Sequence, residues 1–410
     1  MDLNLYLRLS GLMFLEFAVW GAWMPVLALR LLGPLKMTGR QTGWIYATLP
    51  LACIFAPLAS GYLADSRFNA ETIILVSHAA GAVLLFLAAK QTRFWGMFTV
   101  MLLYSIFYTA TLPLVNKIVL QQSPATGIDV AYVFLWAPVS WFLVGYLLTG
   151  LRKAWKMGGD GPDSLYLGAI LSVAMAVVSF FQLPLAPTAA GNPMLGALAM
   201  LQNTDYLVFM LAQLAVSGMM QFYFLGTGPF MQDRGIQGRN VSAAMAIAQA
   251  VQALATIFLL LWLIGHAGYK MTFIVGALCW TALYLIYVAR PRPLAIIPAQ
   301  AFHGMAYALF MIGGQFFVNA MAPAHIGGSA QSLIFIATNG IGLFLGTQLA
   351  GAVMQRNNVD GKFQWPRIWA VPLAITLAGA IVLAAGFKVP CSGCFQKGTP
   401  AATSSDSSGR

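Results

Sequence analysis

One acidic residue, Glu16, lies in the middle of a long apolar segment. The chain has eleven Asp and Glu residues, and the other ten lie at the ends of apolar segments, in predicted loops or near the termini. Among the 22 Lys and Arg residues, only Lys117 falls inside such a segment. Ionisable side chains within a membrane are costly, rare and usually functional. These residue types therefore favour proton binding at Glu16, with Lys117 as its ion-pair partner.

Both residues also have a simpler interpretation. Glu16 could be permanently protonated, or paired for structural reasons alone. Lys117 lies near the end of its apolar segment, where its long stem could carry the ammonium group to water. The sequence leaves these alternatives open.

Aromatic residues follow at helical spacing. Trp20 is four residues and Trp23 seven residues after Glu16, which places all three on one helical face. Such tryptophans either line a binding site or anchor a helix at the membrane surface. His303 and Tyr307, four residues apart, also share a face. His303 is either a proton carrier, because an unperturbed His titrates close to neutral pH, or a neutral, hydrogen-bonded ring.

Amides are the main polar groups of the other apolar segments. Gln249 and Gln252 are three residues apart and share a helical face, Gln221 lies in the preceding segment, and Asn116 and Asn339 lie in two more. Amides can simply join helices, at about 0.6–2 kcal/mol each. Because an amide both donates and accepts, this set also suits a nucleobase edge or sugar hydroxyls. We therefore expect a polar ligand.

The composition is that of a membrane protein. The chain has 410 residues, of which 60% are hydrophobic and only 8% charged, against about 25% charged in soluble domains. Apolar runs of about 20 residues recur along it, each long enough to cross a bilayer as a helix. The net charge of +11 comes from scattered residues, which argues against a nucleic-acid partner. No enzyme motif is present, and no cofactor is implied.

The predicted elements are twelve transmembrane helices in two six-helix bundles. Residues 1–185 form the first bundle, 186–204 a Pro-, Ala- and Gly-rich central linker, 205–387 the second bundle, and 388–410 a polar tail expected to be disordered. Six spans plus six with a central linker is the layout of the major facilitator fold, an all-α polytopic membrane fold with two pseudo-symmetric halves. The segment Gly61-Tyr62-Leu63-Ala64-Asp65-Ser66-Arg67, after the second span, resembles the loop between helices 2 and 3 of that superfamily.

Several motifs resemble the nucleoside–proton symporter family of this superfamily. They are Phe17-Ala18-Val19-Trp20-Gly21-Ala22-Trp23, Gly61–Asp65, Asn116, Trp136, Gln221, Gln249, Ser329-Ala330-Gln331 and Thr338-Asn339-Gly340. The resemblance extends to about Phe387. It implies a nucleoside site between the two halves, with Gln221 and Gln249 holding base or ribose and Tyr307 at an aromatic position of the pocket.

The chain departs from this family pattern at four positions. Ala308 stands where the family has an embedded Asp in span 10, and Phe134 where it has an Arg in span 5. Conversely, Lys117 replaces a Thr, and Glu16 occupies a position that is commonly an amide. The departures suggest that the charges have moved from the C-terminal to the N-terminal half.

The expected function is secondary-active transport of nucleosides, or similar polar ring-bearing solutes, by alternating access, with proton coupling through Glu16. One alternative is an uncoupled facilitator, or a carrier of sugars or of organic anions that meet Lys117. Another, from a different class, is a non-transporting membrane sensor or scaffold. The absence of an appended soluble domain weighs against that class, because a sensor needs an output surface.

The orientation is predicted from two signals that disagree. Lys and Arg residues number six on the side of the two termini and fifteen on the opposite side, so the positive-inside rule places the termini outside. The family resemblance places both termini in the cytoplasm of a bacterial-type inner membrane. The expectation follows the resemblance, because the Gly61–Arg67 loop is cytoplasmic throughout that superfamily.

Overall fold

The fold, seen in a computed structural model that describes residues 2–182, 194–289, 292–323 and 326–389, is built almost entirely of helices. The first half contains α1 (Leu3–Trp23), α2 (Leu27–Leu32), α3 (Gly39–Cys53), α4 (Ala56–Ser66), α5 (Ala70–Lys90), α6 (Phe94–Gln122), α7 (Val130–Phe134), α8 (Trp136–Ala154) and α9 (Asp163–Phe180).

The second half repeats this layout with interruptions. It contains α10 (Met194–Ala199), α11 (Thr204–Asp233), α12 (Gly238–Leu254), α13 (Leu261–Val288), α14 (Pro293–Ala306), α15 (Gly313–Met321), α16 (Gly327–Phe335), α17 (Leu343–Arg356) and α18 (Trp365–Gly386). Stretches of π-helix join α12 to α13 (Ala255–Leu260), α14 to α15 (Tyr307–Ile312) and α16 to α17 (Ile336–Gly342). Such stretches are frequent at functional sites.

Local sequence explains where several helices begin and turn. Thr38 and Gln41 form a capping box at the start of α3, and the Asn203 side chain accepts from the Tyr206 N–H at the start of α11, which satisfies donors that a helix leaves free. A two-strand hairpin, Asn358–Val359 with Lys362–Phe363, joins α17 to α18. Its Asp360-Gly361 turn has positive φ at both residues, as this hairpin type requires.

Eleven helical segments in the described part of the chain are long and apolar enough to span a membrane. One of them, Gly238–Val288, has 51 residues and a straight length of about 76 Å, more than twice the hydrocarbon thickness. It bends at Gly268, whose φ of 75° is non-helical. Divided there, it supplies the predicted spans 239–264 and 269–288, which brings the total to the predicted twelve.

The predicted linker and tail fall largely outside the described residues. Residues 186–193 and 390–410 are among those that the structure does not describe. The described end of the predicted linker is helical, with α10 followed by a 3-10 turn at Met200–Gln202.

Two close helix pairs join the halves. The pair α3–α17 brings Gly43 so near the other helix that a Cβ there would lie 2.8 Å from the carbonyl oxygen of Thr347. The pair α8–α12 meets at Gly145, where a Cβ would lie 2.6 Å from the Cβ of Ala246. Both contacts lie towards the side opposite the termini, because Gly39 begins the second span and Arg356 ends the eleventh. The two halves therefore touch each other on that side.

Candidate functional site

A cavity lies between the two halves, and residues from both line it. Its lining residues are Phe17, Trp20, Met24, Ala137, Pro138, Trp141, Met220, Phe224, Gln249, Gln252, His303, Tyr307 and Leu343. The empty volume is about 510 Å³, counting the part continuous with solvent. The position at the interface of the two bundles is where transporters of this architecture hold their substrate.

Five residues predicted for a binding site meet in this cavity. Trp20, Gln249, Gln252, His303 and Tyr307 all line it. The two spacing arguments held, because Gln249 and Gln252 face the same space, as do His303 and Tyr307.

His303 lines the cavity and has a ring nitrogen without a hydrogen-bond partner among the described residues. The indole N–H of Trp280 donates to Nδ1 of His303 over 3.1 Å. Because an indole nitrogen only donates, Nδ1 carries no proton, and the neutral ring has its proton on Nε2. That Nε2 atom is buried and has no hydrogen-bond partner among the described residues. The geometry favours the neutral ring over the proton carrier.

An aromatic and amide network holds the His303 ring in place. The ring stacks on Tyr223 with centroids 3.7 Å apart and planes 13° from parallel. The Tyr223 hydroxyl donates to Oε1 of Gln300 over 2.8 Å, and Nε2 of Gln300 donates to the Tyr287 hydroxyl over 2.6 Å. Sequence reasoning missed Gln300, although it lies three residues before His303 on the same helical face.

Trp20 and Trp23 point to different partners. Trp20 lines the cavity, and its indole N–H is buried without a partner among the described residues. Its ring packs edge-on against Trp141, with centroids 5.4 Å apart. Trp23 instead donates to the Tyr104 hydroxyl over 3.2 Å inside the N-terminal bundle. Only Trp20 can therefore touch a solute in this conformation.

The other predicted binding residues lie away from the lining. Trp136 donates to the Tyr6 hydroxyl over 3.3 Å, Asn339 donates to Thr338 over 3.1 Å, and Asn116 is half-buried. Gln221 is fully buried next to the lining residue Met220, and neither polar atom of its amide has a partner in the described part of the chain. An unpaired buried amide is unfavourable, and Gln221 directly follows the lining residue Met220 in the chain.

Glu16 lies within the N-terminal bundle and pairs with a residue that sequence reasoning missed. Its Oε2 atom is 2.9 Å from Nε2 of His78 on α5, and its Oε1 atom accepts from the Thr111 hydroxyl over 2.7 Å. The contacts of the Glu16 carboxylate are therefore with His78 and Thr111, and its pairing with Lys117 stays a prediction. Lys117 lies six residues beyond Thr111, about 9 Å further along α6.

No metal centre is formed by the described residues, which contain no group of three or more His, Cys, Asp or Glu side chains arranged to hold an ion. The polar groups of the lining residues are amides, an aromatic hydroxyl and ring N–H groups.

Comparison with known proteins gives consistent matches along the chain. A family model described as nucleoside H⁺ symporter matches residues 3–392. The nucleoside permease NupG of Escherichia coli K12 is 28% identical over 94% of this chain and 96% of its own length. The xanthosine permease of the same organism is 25% identical over the same shares.

Solved structures show the same fold. Crystal structures of the nucleoside transporter NupG and of a single-residue variant match with TM-scores of 0.82 and 0.85, each at 24% identity, over 94% of this chain and all of theirs. A bacterial homologue of the lysosomal transporter Spinster matches with a TM-score of 0.68 over 93% of this chain and 94% of its own.

Proposed function

The chain belongs to the nucleoside H⁺ symporter family, and from this premise we propose that the cavity between its two halves is where it binds the nucleoside. The protein is a proton-coupled nucleoside transporter with the major facilitator fold. The main support for this site is that one cavity is lined from both bundles by five of the predicted binding residues: Trp20, Gln249, Gln252, His303 and Tyr307. A solute held there touches both halves, as alternating access requires.

The polar groups of the cavity match the chemistry of a nucleoside. The two amides offer donors and acceptors, which suit the mixed edge of a base and the ribose hydroxyls. His303 Nε2–H and the Trp20 indole N–H are donors without partners among the described residues, and a base carbonyl or ribose oxygen can accept from them. The rings of Phe17, Trp141 and Phe224 supply apolar faces for the base.

The cavity does not suit the alternative cargo of organic anions. An anion carrier needs a cationic group at its site, and no Lys or Arg is among the residues that line this cavity. Lys117 belongs to the first bundle and is not one of them. A neutral solute with hydroxyl and carbonyl groups fits the lining better.

The proposed location is a bacterial-type inner membrane with both termini in the cytoplasm. The resemblance of the Gly61–Arg67 segment to a cytoplasmic loop supports this orientation. Right-side-out sealed vesicles treated with protease test it. We expect the C-terminal tail to be protected until the vesicles are opened. Digestion of the tail in sealed vesicles would indicate the opposite orientation, with both termini outside.

Counterflow in proteoliposomes tests the proposed cargo. We expect purified full-length protein to exchange radiolabelled uridine with unlabelled nucleoside inside the vesicles, and nucleosides to raise its melting temperature. If no nucleoside gave either exchange or a higher melting temperature, the proposal would be overturned. A response to sugars alone would indicate a sugar carrier instead.

A matched pair of glutamine variants tests the cavity. In Gln252→Ala, the loss of one hydrogen-bonding amide is expected to weaken uridine binding about tenfold, because a lost partner costs about 1–3 kcal/mol. Gln91 lies in a loop and donates to the backbone of Leu87, so Gln91→Ala should bind as the wild type does. Equal behaviour of both variants would remove Gln252 from the site.

A further inference from the structure

Glu16 and His78 form an ionisable pair that the nucleoside cavity does not use. Neither residue lines the cavity, and their side chains are 0% and 1% exposed. The pair lies inside the N-terminal bundle, where α1, α5, α6 and α9 meet. Each member also touches one hydroxyl group, Thr111 on Glu16 and Ser172 on His78.

Ser172 can either donate to His78 or accept from it. Its hydroxyl oxygen lies 3.0 Å from Nδ1 of His78 and 3.0 Å from the carbonyl oxygen of the same residue. A hydroxyl has one hydrogen, and a carbonyl oxygen only accepts. When the hydrogen points at Nδ1, the ring is unprotonated there. When it points at the carbonyl, the hydroxyl oxygen is free to accept from a protonated Nδ1.

Thr111 stands in the same relation to Glu16. Its hydroxyl oxygen lies 2.7 Å from Oε1 of Glu16 and 2.5 Å from the carbonyl oxygen of Tyr108. The hydrogen of Thr111 can point at an ionised carboxylate. It can instead point at Tyr108, and the hydroxyl then accepts from a protonated Glu16.

The pair can therefore hold one extra proton without losing a hydrogen bond. In the proton-free form, Glu16 is ionised, and Nε2–H of His78 and the Thr111 hydroxyl both donate to it. A proton added to Nδ1 of His78 is accepted by Ser172, and one added to Oε1 of Glu16 is accepted by Thr111. In either case one hydroxyl hydrogen turns, the heavy atoms keep their places, and the charge of the pair changes from −1 to 0.

We propose that Glu16 and His78 together bind the transported proton, as one site with Thr111 and Ser172 as its reversible hydrogen-bond partners. The proposal rests on the proposed function, because it supplies the proton site of that symport. Burying an uncompensated charge is unfavourable, and the loaded pair carries no net charge. Proton release then requires contact with water or with a proton acceptor.

Other titratable groups around the pair lie on the same helices and on α3 and α8. In the described part of the chain they are Tyr104, Tyr108 and Lys117 on α6, Arg40, Tyr46 and Cys53 on α3, Glu71 and Lys90 on α5, Asp163 and Tyr166 on α9, Tyr6 and Arg8 on α1, and Tyr146, Arg152 and Lys153 on α8. Glu71 lies seven residues from His78, about 10 Å along the helix. The carboxylate and imidazole of the pair are bonded to each other and to the two hydroxyls.

A short path links the pair to the nucleoside cavity. The Tyr108 hydroxyl donates to the backbone carbonyl of Glu16 over 2.9 Å, and the Tyr108 ring lies 6.1 Å from the ring of Trp20. Trp20 is one helical turn beyond Glu16 and lines the cavity. Because α1 carries both Glu16 and Trp20, any movement of α1 during transport would shift the pair and a cavity wall together.

Reconstituted full-length protein tests the proposal with two assays on each variant. The first is uridine counterflow without a pH gradient, which needs binding and alternating access alone. The second is uridine accumulation driven by a pH gradient, followed together with proton entry by a trapped pH dye. For one proton per solute, a gradient of one pH unit supports about tenfold accumulation.

We expect Glu16→Gln and His78→Gln to retain counterflow and to lose both accumulation and uridine-induced proton entry. Glu71→Gln, from the same bundle, and His266→Gln, an exposed histidine, are the matched controls and should accumulate uridine as the wild type does. Accumulation and proton entry in Glu16→Gln equal to the wild type would overturn the proposal.

The two proposals fail in different ways. Absence of counterflow in the wild type would count against nucleoside transport itself, whereas counterflow with persistent coupling in Glu16→Gln would count against the proton site alone. If Glu16→Gln lacks counterflow, Glu16→Asp, which keeps a carboxylate, should restore coupled uptake. The proposal would also be contradicted if Glu16→Asp kept its counterflow but showed no coupled uptake.

Discussion

The two buried histidines of this transporter, His78 in the first bundle and His303 in the second, differ in what their neighbours can do with a proton. His78 lies between a carboxylate and a hydroxyl that can reverse its hydrogen bond. The Nδ1 atom of His303 is occupied by the Trp280 indole N–H, which only donates. His303 lines the cavity, and its other nitrogen is buried without a hydrogen-bond partner among the described residues.

This difference separates two tasks within one fold. The site of His78 can change its charge, whereas His303 is held in a single neutral form and serves as a directed donor. Residue type and burial are the same in both halves. Whether a histidine binds a proton or donates to a solute is decided by the hydrogen bonds that its neighbours can donate or accept.

The largest expected effect comes from removing titration at His78. His78→Gln keeps a side-chain N–H but cannot take up a proton, so we expect loss of the roughly tenfold accumulation that one pH unit supports. Accumulation and counterflow measured on the same vesicles check this. Retained accumulation would show that His78, like His303, does not carry the transported proton.

A partial effect, on binding rather than a loss of coupling, is expected at His303. His303→Phe preserves a ring stacked on Tyr223 but removes the Nε2–H donor, so uridine affinity should fall about tenfold, as for a lost hydrogen bond of roughly 1.4 kcal/mol. Calorimetric titration with uridine measures the affinity, and His266→Phe is the control. A collapse of proton coupling with unchanged affinity would contradict this assignment.

Releasing Nδ1 of His303 should have a more modest effect. Trp280→Phe removes the donor to Nδ1, which allows a proton to bind there at acidic pH. Uridine affinity should then become dependent on pH, and the lost support of about 0.5–1.5 kcal/mol should weaken binding roughly 2–10-fold. Affinity measured across pH 5–8, the range in which histidines titrate, compares variant and wild type. A flat difference between them over this range would show that Trp280 does not set the protonation of His303.

The smallest expected effect is at Ser172. Ser172→Ala leaves the protonated Nδ1 of His78 without an acceptor, and a charged donor loses more than a neutral acceptor does. Proton loading therefore weakens, and half-maximal uridine uptake should move to a lower pH by up to about one unit. Uptake measured at stepped external pH detects this. A move to higher pH would mean that Ser172 serves mainly the proton-free form.

The sequence predicted the architecture because its signals are local. Apolar segment length and turn residues are sufficient for twelve spans, and helical spacing alone placed Gln249 with Gln252 and His303 with Tyr307. The bend at Gly268 also agrees, since the sequence predicted separate spans there. Glu16 stood out because a charge within an apolar span is rare.

The partners of Glu16 were not predictable in the same way. His78 lies 62 residues away on another helix, in a segment with no motif, and only tertiary packing brings the two together. Lys117 attracted the prediction by its charge, but the turn of α6 that faces Glu16 carries Thr111. Trp23 shared the predicted face with Trp20, yet the small angular offset between them directs Trp23 to Tyr104.

The glycine contacts between α3 and α17 and between α8 and α12 have a mechanical consequence. At Gly43 and Gly145 the two halves approach each other directly, and side chains join the same helix pairs nearby: the Thr149 hydroxyl accepts from the Ala243 N–H, and Trp44 packs edge-on against Phe344. A bulkier residue at Gly43 or Gly145 would push the two halves apart at that contact. The halves would then separate more readily on the side opposite the termini, while the nucleoside cavity and the Glu16–His78 pair kept their chemistry.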